Sequence, residues 1–440
     1  MKRLGNLFER LCDFRTLEAA FARVRKGKAR RSDVAAFARG MPENLNAVAD
    51  ELRAGTFRFG NYHFFKVYDP KERLIAAAPV RERIVHHAVI ALIGERLERA
   101  LIDKSYACRK GKGQWKAVAE AERLARLHPW CLKLDIHHYF DSIDHGILKG
   151  ILRRKIKDAR FLALLDSLID TYRAGETAER ATGLPIGNLT SQYFANLYLD
   201  AFDRWLDGQD VAHLRYMDDV LVFGTREALR RVFAAVPSFL AAALRLTLKA
   251  KGGLHRTARG VDFLGCRILP GGARLNARSR RRFLRKLALY DGLVAERGER
   301  WLQNRLTALF AFARQVHSYG FRRKAVGENG QGNGECSSRR WLWQQQRVCP
   351  ALPLGVSVQQ QSLQPQQQQR LLRLPVAGSS RSSVQEAHQN RPFSRSGRQL
   401  GQIVHSPGPA LVGRSPKTTG GAVLIQGETA SAERGLFVER

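Results

Sequence analysis

Two aspartates stand side by side in Leu214-Arg215-Tyr216-Met217-Asp218-Asp219-Val220-Leu221-Val222-Phe223-Gly224. Apolar and β-branched residues flank them, so the stretch reads as a tight hairpin between two buried strands with carboxylates at its tip. Adjacent carboxylates repel unless a cation sits between them, and a hard divalent ion with oxygen ligands is the usual solution. A solvated Asx-type turn would use the same residues without a metal. A second carboxylate site lies upstream: Cys131-Leu132-Lys133-Leu134-Asp135-Ile136 reads as a buried strand ending in an aspartate, and it runs into His137-His138-Tyr139-Phe140-Asp141-Ser142-Ile143-Asp144-His145. Between the two, Gly183-Leu184-Pro185-Ile186-Gly187-Asn188-Leu189-Thr190-Ser191-Gln192 is a Gly/Pro-rich loop leading into the apolar run Tyr193 to Leu199.

Strand-Asp, then Gly-rich loop and helix, then Tyr-Met-Asp-Asp hairpin, in that order, resembles the palm of reverse transcriptases. The resemblance implies nucleotidyl transfer with two Mg²⁺ ions, one activating the primer 3′-hydroxyl and the other holding the triphosphate. Asp135 and Asp218 would bridge both ions, Asp219 would assist, and the Ile136 carbonyl would be available to the nucleotide metal. Phe140 matches the bulky residue that crowds a ribose 2′-hydroxyl and selects deoxynucleotides; an ordinary core phenylalanine is the plain alternative. Asp141 and Asp144 read as loop or cap carboxylates rather than ligands.

The Gly183 to Gln192 loop carries the most discriminating detail. Most reverse transcriptases have Gln where this chain has Ile186, and Ser-Pro where it has Ser191-Gln192. The Ile186-Gly187-Asn188-x-x-Ser191-Gln192 pattern resembles diversity-generating retroelements, whose enzymes copy a template RNA and misincorporate opposite its adenines. Replacing an amide by a branched alkyl removes hydrogen bonds that would hold the nascent pair, so geometric selection should loosen. The implied function is RNA-directed synthesis of adenine-mutagenised cDNA for retrohoming. The implied partners are template RNA, the cDNA/RNA duplex, dNTPs and a small basic accessory protein.

The elements that must position these residues follow from the rest of the chain. Its 440 residues and net charge of +34, with a pI near 10.8, indicate a polyanion partner. The six cysteines form no C-x-x-C pair, so neither a zinc site nor a disulfide framework is signalled and a reducing compartment is expected. No apolar run approaches the length of a membrane span and no signal h-region opens the chain, so a soluble, cytoplasmic protein without membrane contact is expected.

Residues 1–55 read as basic helices, with Phe14, Leu17, Phe21 and Val24 at helical spacing before the charge run Arg23 to Arg31. Residues 56–276 read as fingers and palm. Tyr62 to Ala76 reads as an alternating strand, a turn at Asp69-Pro70 and a second strand, and Pro79 opens a long helix. By resemblance to the fingers of bacterial reverse transcriptases, Lys71, Arg73 and Arg83 would contact the incoming triphosphate, with Ile186, Gly187, Gln192 and Phe140 beside it. Surface ion pairs with Glu72 or Glu82 are the plain alternative. His86 and His87 are assigned no chemistry. Arg109, Lys110 and Lys112 lie in a Gly-punctuated basic loop suited to a phosphate backbone. Leu244 to Lys251 alternates like a strand, and Lys249 or Lys251 matches the family lysine that protonates pyrophosphate. Phe263-Leu264-Gly265 resembles the primer-grip hairpin. Residues 277–324 are helical and basic and would form a short thumb on the duplex minor groove. No His/Cys cluster follows, which speaks against an intron protein with a nuclease domain.

After Lys324 the composition changes: Lys417 is the one remaining lysine, no aspartate or tyrosine remains, and glutamine runs occur at 344–346, 359–361 and 366–369. If those glutamines are CAA codons, the next frame reads AAC, and residues 364–372 become an asparagine-rich repeat end of the kind an adenine-directed mutator exploits. Residues 325–440 are therefore expected to be a low-complexity tail made by out-of-frame translation of the template region. The overall expectation is an α+β right-handed polymerase with a ferredoxin-like palm, helical fingers and a helical thumb. A retron-like or phage-defence reverse transcriptase is the enzymatic alternative, and a catalytically idle RNA-binding protein is the alternative from another class.

Overall fold

The computed structural model describes residues 3–68, 72–177, 180–250 and 252–326, all within the unit Met1–Val356. The Asp69-Pro70 turn, Lys71, Lys251 and the tail beyond residue 326 lie outside the described residues.

Four helices come first: α1 (Phe8–Leu11), α2 (Phe14–Arg25), α3 (Ser32–Arg39) and α4 (Met41–Ala54). Leu17, Phe21 and Val24 fall on one buried stripe of α2, whose first turn is capped by Asp13 accepting from the Thr16 amide. The basic run from Arg23 to Arg31 stays exposed. The chain then forms the antiparallel pair β1 (His63–Val67) and β2 (Arg73–Ala77), followed by α5 (Val80–Ala100). The alternation expected for β1 is absent: His63, Phe64, Phe65 and Lys66 are all exposed. The two-stranded ribbon is covered only near Ala76 of β2, which is buried, so β1 has no dry side along which to alternate.

The middle of the chain runs α6 (Gln114–Leu127), β3 (Trp130–Asp135), α7 (Tyr139–Ser142), α8 (His145–Arg153), α9 (Ala159–Ile169), β4 (Gly175–Thr177), β5 (Arg180–Thr182), α10 (Leu189–Tyr198), α11 (Asp200–Asp207), β6 (Ala212–Tyr216), β7 (Asp219–Gly224), α12 (Arg226–Leu244) and β8 (Gly253–Arg256). One antiparallel sheet has the order β6-β7-β3-β8. Helices cross between β3 and β6 and between β7 and β8, which is the β-α-β-β-α-β order of a ferredoxin-like fold. Its two central strands are apolar on both faces because both faces are covered. Leu132, Leu134, Val220 and Val222 join the core that includes α10 and α12. Cys131, Leu221 and Phe223 join a second core under α6 and the strands that follow β8.

Those strands are β9 (Val261–Phe263), β10 (Cys266–Ile268) and β11 (Arg274–Leu275), and the helices α13 (Ala277–Arg297), α14 (Glu299–Arg314) and α15 (Tyr319–Val326) come last. Phe283, Leu287, Leu302, Leu306 and Phe310 give α13 and α14 a core of their own. The architecture is the α+β polymerase plan, with the ferredoxin-like sheet at its centre. Among the described residues no helix is long and apolar enough to cross a membrane.

Among the described residues 244–250 the expected strand does not form. Leu244 ends α12, Arg245 takes a left-handed φ of 51° as its C-cap, and Leu248 makes a single bridge to Ile136. Leu246 and Leu248 alternate because they plug the core beneath the chain, not because they pair along a strand.

Candidate active site

The hairpin β6–β7 closes on Met217 and Asp218, with Tyr216 paired to Asp219. Met217 adopts φ 55°, the left-handed conformation that so tight a turn demands of one residue. In the adjacent pairing Asp135 at the end of β3 stands directly opposite Asp219. Carboxylates from two neighbouring strands therefore meet at one end of the sheet, as directly paired residues on one face of it must.

Electrostatics at this end are strained. Burial pushes the Asp218 carboxyl above its ordinary range, and the nearby Asp135 charge adds to this; Lys249 and Arg73 pull the other way. Burial raises Asp219 to about 6, with Lys133 opposing and Asp218 and Asp135 assisting. Asp219 Oδ1 is buried without a hydrogen bond; the Lys133 ammonium lies 3.4 Å away and donates instead to the Asp262 carbonyl at 2.7 Å. Lys249 forms a 2.6 Å ion pair with Asp135, and its amide donates to the Asp135 carbonyl. Of the two lysines left open by the sequence, Lys249 stands at the carboxylates and Lys251 lies outside the described residues.

An orphaned carboxylate oxygen and all-oxygen donors fit a hard divalent ion in kind. Among the described residues, however, no three His, Cys, Asp or Glu side chains stand arranged to hold a metal. Positive charge at the site comes from Lys249, Lys133 and Arg73. Ile136 is buried, and its neighbours Asp135 and His137 make the backbone bonds to Lys249 and Thr247, so by antiparallel alternation its own carbonyl faces away from that segment.

The Gly-rich loop is tied to both sides of the site. The Leu184 amide donates to the Phe140 carbonyl, and the Ala76 amide of β2 donates to the Ile186 carbonyl at 2.9 Å. Gly187 is exposed with φ 120°, and a side chain there would meet Ile75 at 2.9 Å and the Ala76 carbonyl at 3.3 Å. The loop and β2 therefore touch backbone to backbone, which glycine permits. Gln192 is half-buried on α10, and Phe140 is half-buried against the core. Arg73 on β2 reaches Asp218 electrostatically.

Other basic candidates have different employment. Arg83 pairs with Asp33 of α3 at 2.6 Å, a partner far along the chain, rather than with Glu72 or Glu82. Glu82 is buried and accepts from the Gly60 and Asn61 amides. Arg109 donates to the carbonyls of Ile102, Ser105 and Glu98, so it staples its own loop and offers no open fork to phosphate. Lys112 pairs with Asp103 at 2.7 Å and covers the Tyr106 ring, whereas Lys110 is exposed. The β9–β10 hairpin turns at Leu264 and Gly265, both at positive φ, and Phe263 is buried in the core. Asp144 caps α8 and pairs with Arg180 and Arg245.

One group at the site was missed in the sequence. Arg215, beside the aspartates, is fully buried and forms a two-pronged ion pair with Asp203 at 2.7 and 2.6 Å. The signal was a charged residue inside an otherwise apolar strand, which requires a buried partner.

Residues 68–268 match the family described as reverse transcriptase (RNA-dependent DNA polymerase). Protein YkfC of Escherichia coli (strain K12) is 26% identical over 276 residues, covering 51% of this chain and 71% of that protein. The group II intron-encoded protein LtrA of Lactococcus lactis subsp. cremoris is 24% identical over 172 residues, 37% of this chain and 28% of its own. A putative COX1/OXI3 intron 1 protein of Saccharomyces cerevisiae is 27% identical over 171 residues, 37% of this chain. The chain spans only 20% of that yeast protein's length. Among solved structures, telomerase of Candida tropicalis with a telomeric RNA fragment is matched over 66% of this chain and 61% of its own, with 12% identity and a TM-score of 0.38. The two aspartate-bearing strands that meet at one end of the ferredoxin-like sheet, β3 and β7, both lie inside the span of residues 68–268 that matches the reverse transcriptase family.

Proposed function

We propose that this chain is an RNA-directed DNA polymerase that copies a template-repeat RNA into adenine-mutagenised cDNA for retrohoming. The observation that carries the polymerase reading is the meeting of Asp135 with Asp218 and Asp219 at one end of the sheet, half-buried and close enough in charge that Asp219 is raised to about 6. Such a site favours a divalent cation, which Asp135 and Asp218 would hold with Asp219 beside them. Bound there, Mg²⁺ would supply Lewis-acid activation of a hydroxyl and charge neutralisation for a triphosphate. The chain's own residues do the rest. Arg73 offers a cation next to Asp218, Phe140 and the Ile186-Gly187 loop would line the nucleotide side, and Lys249, paired with Asp135, would protonate the leaving pyrophosphate. The helix α13 brings a basic surface, at Arg278, Arg280, Arg281 and Arg285, suited to duplex backbone.

The diversification reading rests on Ile186 and the Ser191-Gln192 pair in the loop that meets β2. A second reading, an intron-type reverse transcriptase, is favoured by the names of the relatives LtrA and the yeast intron protein. A retron-like or phage-defence enzyme gains no such support. The tail reading belongs to the diversification proposal and is tested by translating the gene in its next frame, where asparagine runs are expected.

The deciding experiment gives the purified chain an RNA template, primer, dNTPs and Mg²⁺, with and without the accessory protein, and sequences the cDNA. Substitutions concentrated opposite template adenines support diversification. Faithful cDNA keeps the polymerase and favours the intron-type reading, and no cDNA in either reaction favours an idle RNA-binding protein.

A further inference from the structure

We infer that Arg215 is a positioning residue, whose buried guanidinium fixes the Asp218–Asp219 turn and links it to the loop at Lys104 to Tyr106. This rests on the polymerase reading above for its functional consequence, but its structural part stands alone. Arg215 and Asp203 are both fully buried. Taking two charges out of water is costly, and a well-packed apolar pair commonly serves stability as well or better. The ion pair therefore does something an apolar pair would not.

What it does is visible in the remaining donors. Arg215 Nη1 donates to the Met217 carbonyl at 3.1 Å and to Asn196 Oδ1 at 3.2 Å. Nη2 donates to Ser105 Oγ at 3.3 Å and to the Asn196 carbonyl at 3.2 Å. Met217 is the left-handed residue of the turn, immediately before Asp218, so its carbonyl direction sets where that carboxylate stands. The backbone of Arg215 is held by the same loop as its side chain: its amide donates to the Lys104 carbonyl, and its carbonyl accepts from the Tyr106 amide. That loop is in turn stapled by Arg109. One guanidinium thus gathers α10 through Asn196, α11 through Asp203, the 104–106 loop through Ser105 and the carboxylate turn through Met217. Small misplacements of reacting groups cost rates far more than they cost binding.

The test uses the full chain and two variants, Arg215→Met/Asp203→Leu and Arg215→Lys. The double variant removes both charges together and should keep its melting temperature. Both variants should lose at least tenfold in kcat for cDNA synthesis with KM for dNTP changed less than twofold. Amide exchange in the peptide spanning 214–222 should accelerate at least tenfold while α14 is unchanged. Wild-type kcat or wild-type exchange in a folded variant overturns the proposal. Failure of both variants to fold would assign Arg215 to stability alone and also overturn it. If the wild-type chain makes no cDNA, the polymerase reading fails, and the exchange measurement still decides the positioning role.

Discussion

Replacing Gly187 by alanine probes the contact between the loop and β2. At φ 120° an L side chain is strained, at a cost of about 1–3 kcal/mol. The new Cβ would stand 2.9 Å from Ile75 Cγ2, which can rotate away, and 3.3 Å from the Ala76 carbonyl, which can move only with its strand. Overpacking of this kind adds roughly 1–3 kcal/mol, and the stiffer unfolded chain returns up to about 1. The net loss is about 1–6 kcal/mol, or a melting temperature lower by about 2–12 °C at roughly 2 °C per kcal/mol for a chain of this size. The same push separates the Ala76 amide from the Ile186 carbonyl, now 2.9 Å apart, and moves β2 with Arg73 off the site. KM for dNTP should therefore rise several-fold. Two controls separate the causes: Gly27→Ala carries a positive φ of 69° with nothing near its Cβ, and Gly271→Ala has neither feature. Thermal unfolding and steady-state dNTP titration of the three variants make the comparison. A Gly187→Ala protein no less stable than Gly27→Ala, with unchanged KM, would refute the contact argument.

Asp135→Asn and Asp218→Asn should each lower cDNA synthesis by at least about 10³-fold while circular dichroism stays native; retention of a tenth of the activity would remove that carboxylate from the reaction. Asp219 bears on pH. Its folded value of about 6 exceeds the ordinary carboxylate value near 4, so the cost of burying its charge appears as pH rises from about 4 to 6 and is full above 6. In metal-free buffer Asp219→Asn should therefore unfold at higher temperature than wild type at pH 8, by up to about 3 kcal/mol of stability, with the gain vanishing near pH 4; a gain independent of pH would contradict the assignment. His86 runs the other way. Burial lowers it to about 3, so it is neutral in the fold and its contribution is full above about pH 6.5 and lost as pH falls toward 3. His213, lowered to about 4 by burial, acts in the same direction. A His86→Gln variant should lose less stability than wild type between pH 6.5 and 4, and an identical acid slope would place the acid lability elsewhere.

The sequence by itself determined the elements whose causes are local. A two-residue turn between apolar runs makes the β6–β7 hairpin, a short buried run ending in Asp135 makes β3, and the 3.6-residue stripe makes α2. Carboxylate placement followed, because strand ends that carry acids must meet once the strands pair. The strand predicted at 244–251 fails for the same reason seen from outside: period-two burial of Leu246 and Leu248 arises equally from a coil lying on a core, and only the neighbours distinguish the two.

Tertiary structure alone decided which charges are spent and which are offered. Arg83 finds Asp33 fifty residues away, Lys133 crosses to the Asp262 carbonyl, Lys249 reaches Asp135, and Arg109 turns back on its own loop. A cation's partner is set by distances of a few ångströms between segments remote in sequence, and composition carries no such distances. Phe263 is likewise apolar in any reading, but only the packing of β9 beneath α6 puts it in the core. The fully buried Arg215 is the sharpest case: its residue type announced that a partner must exist, and only the fold supplied Asp203, Asn196 and the turn carbonyl together.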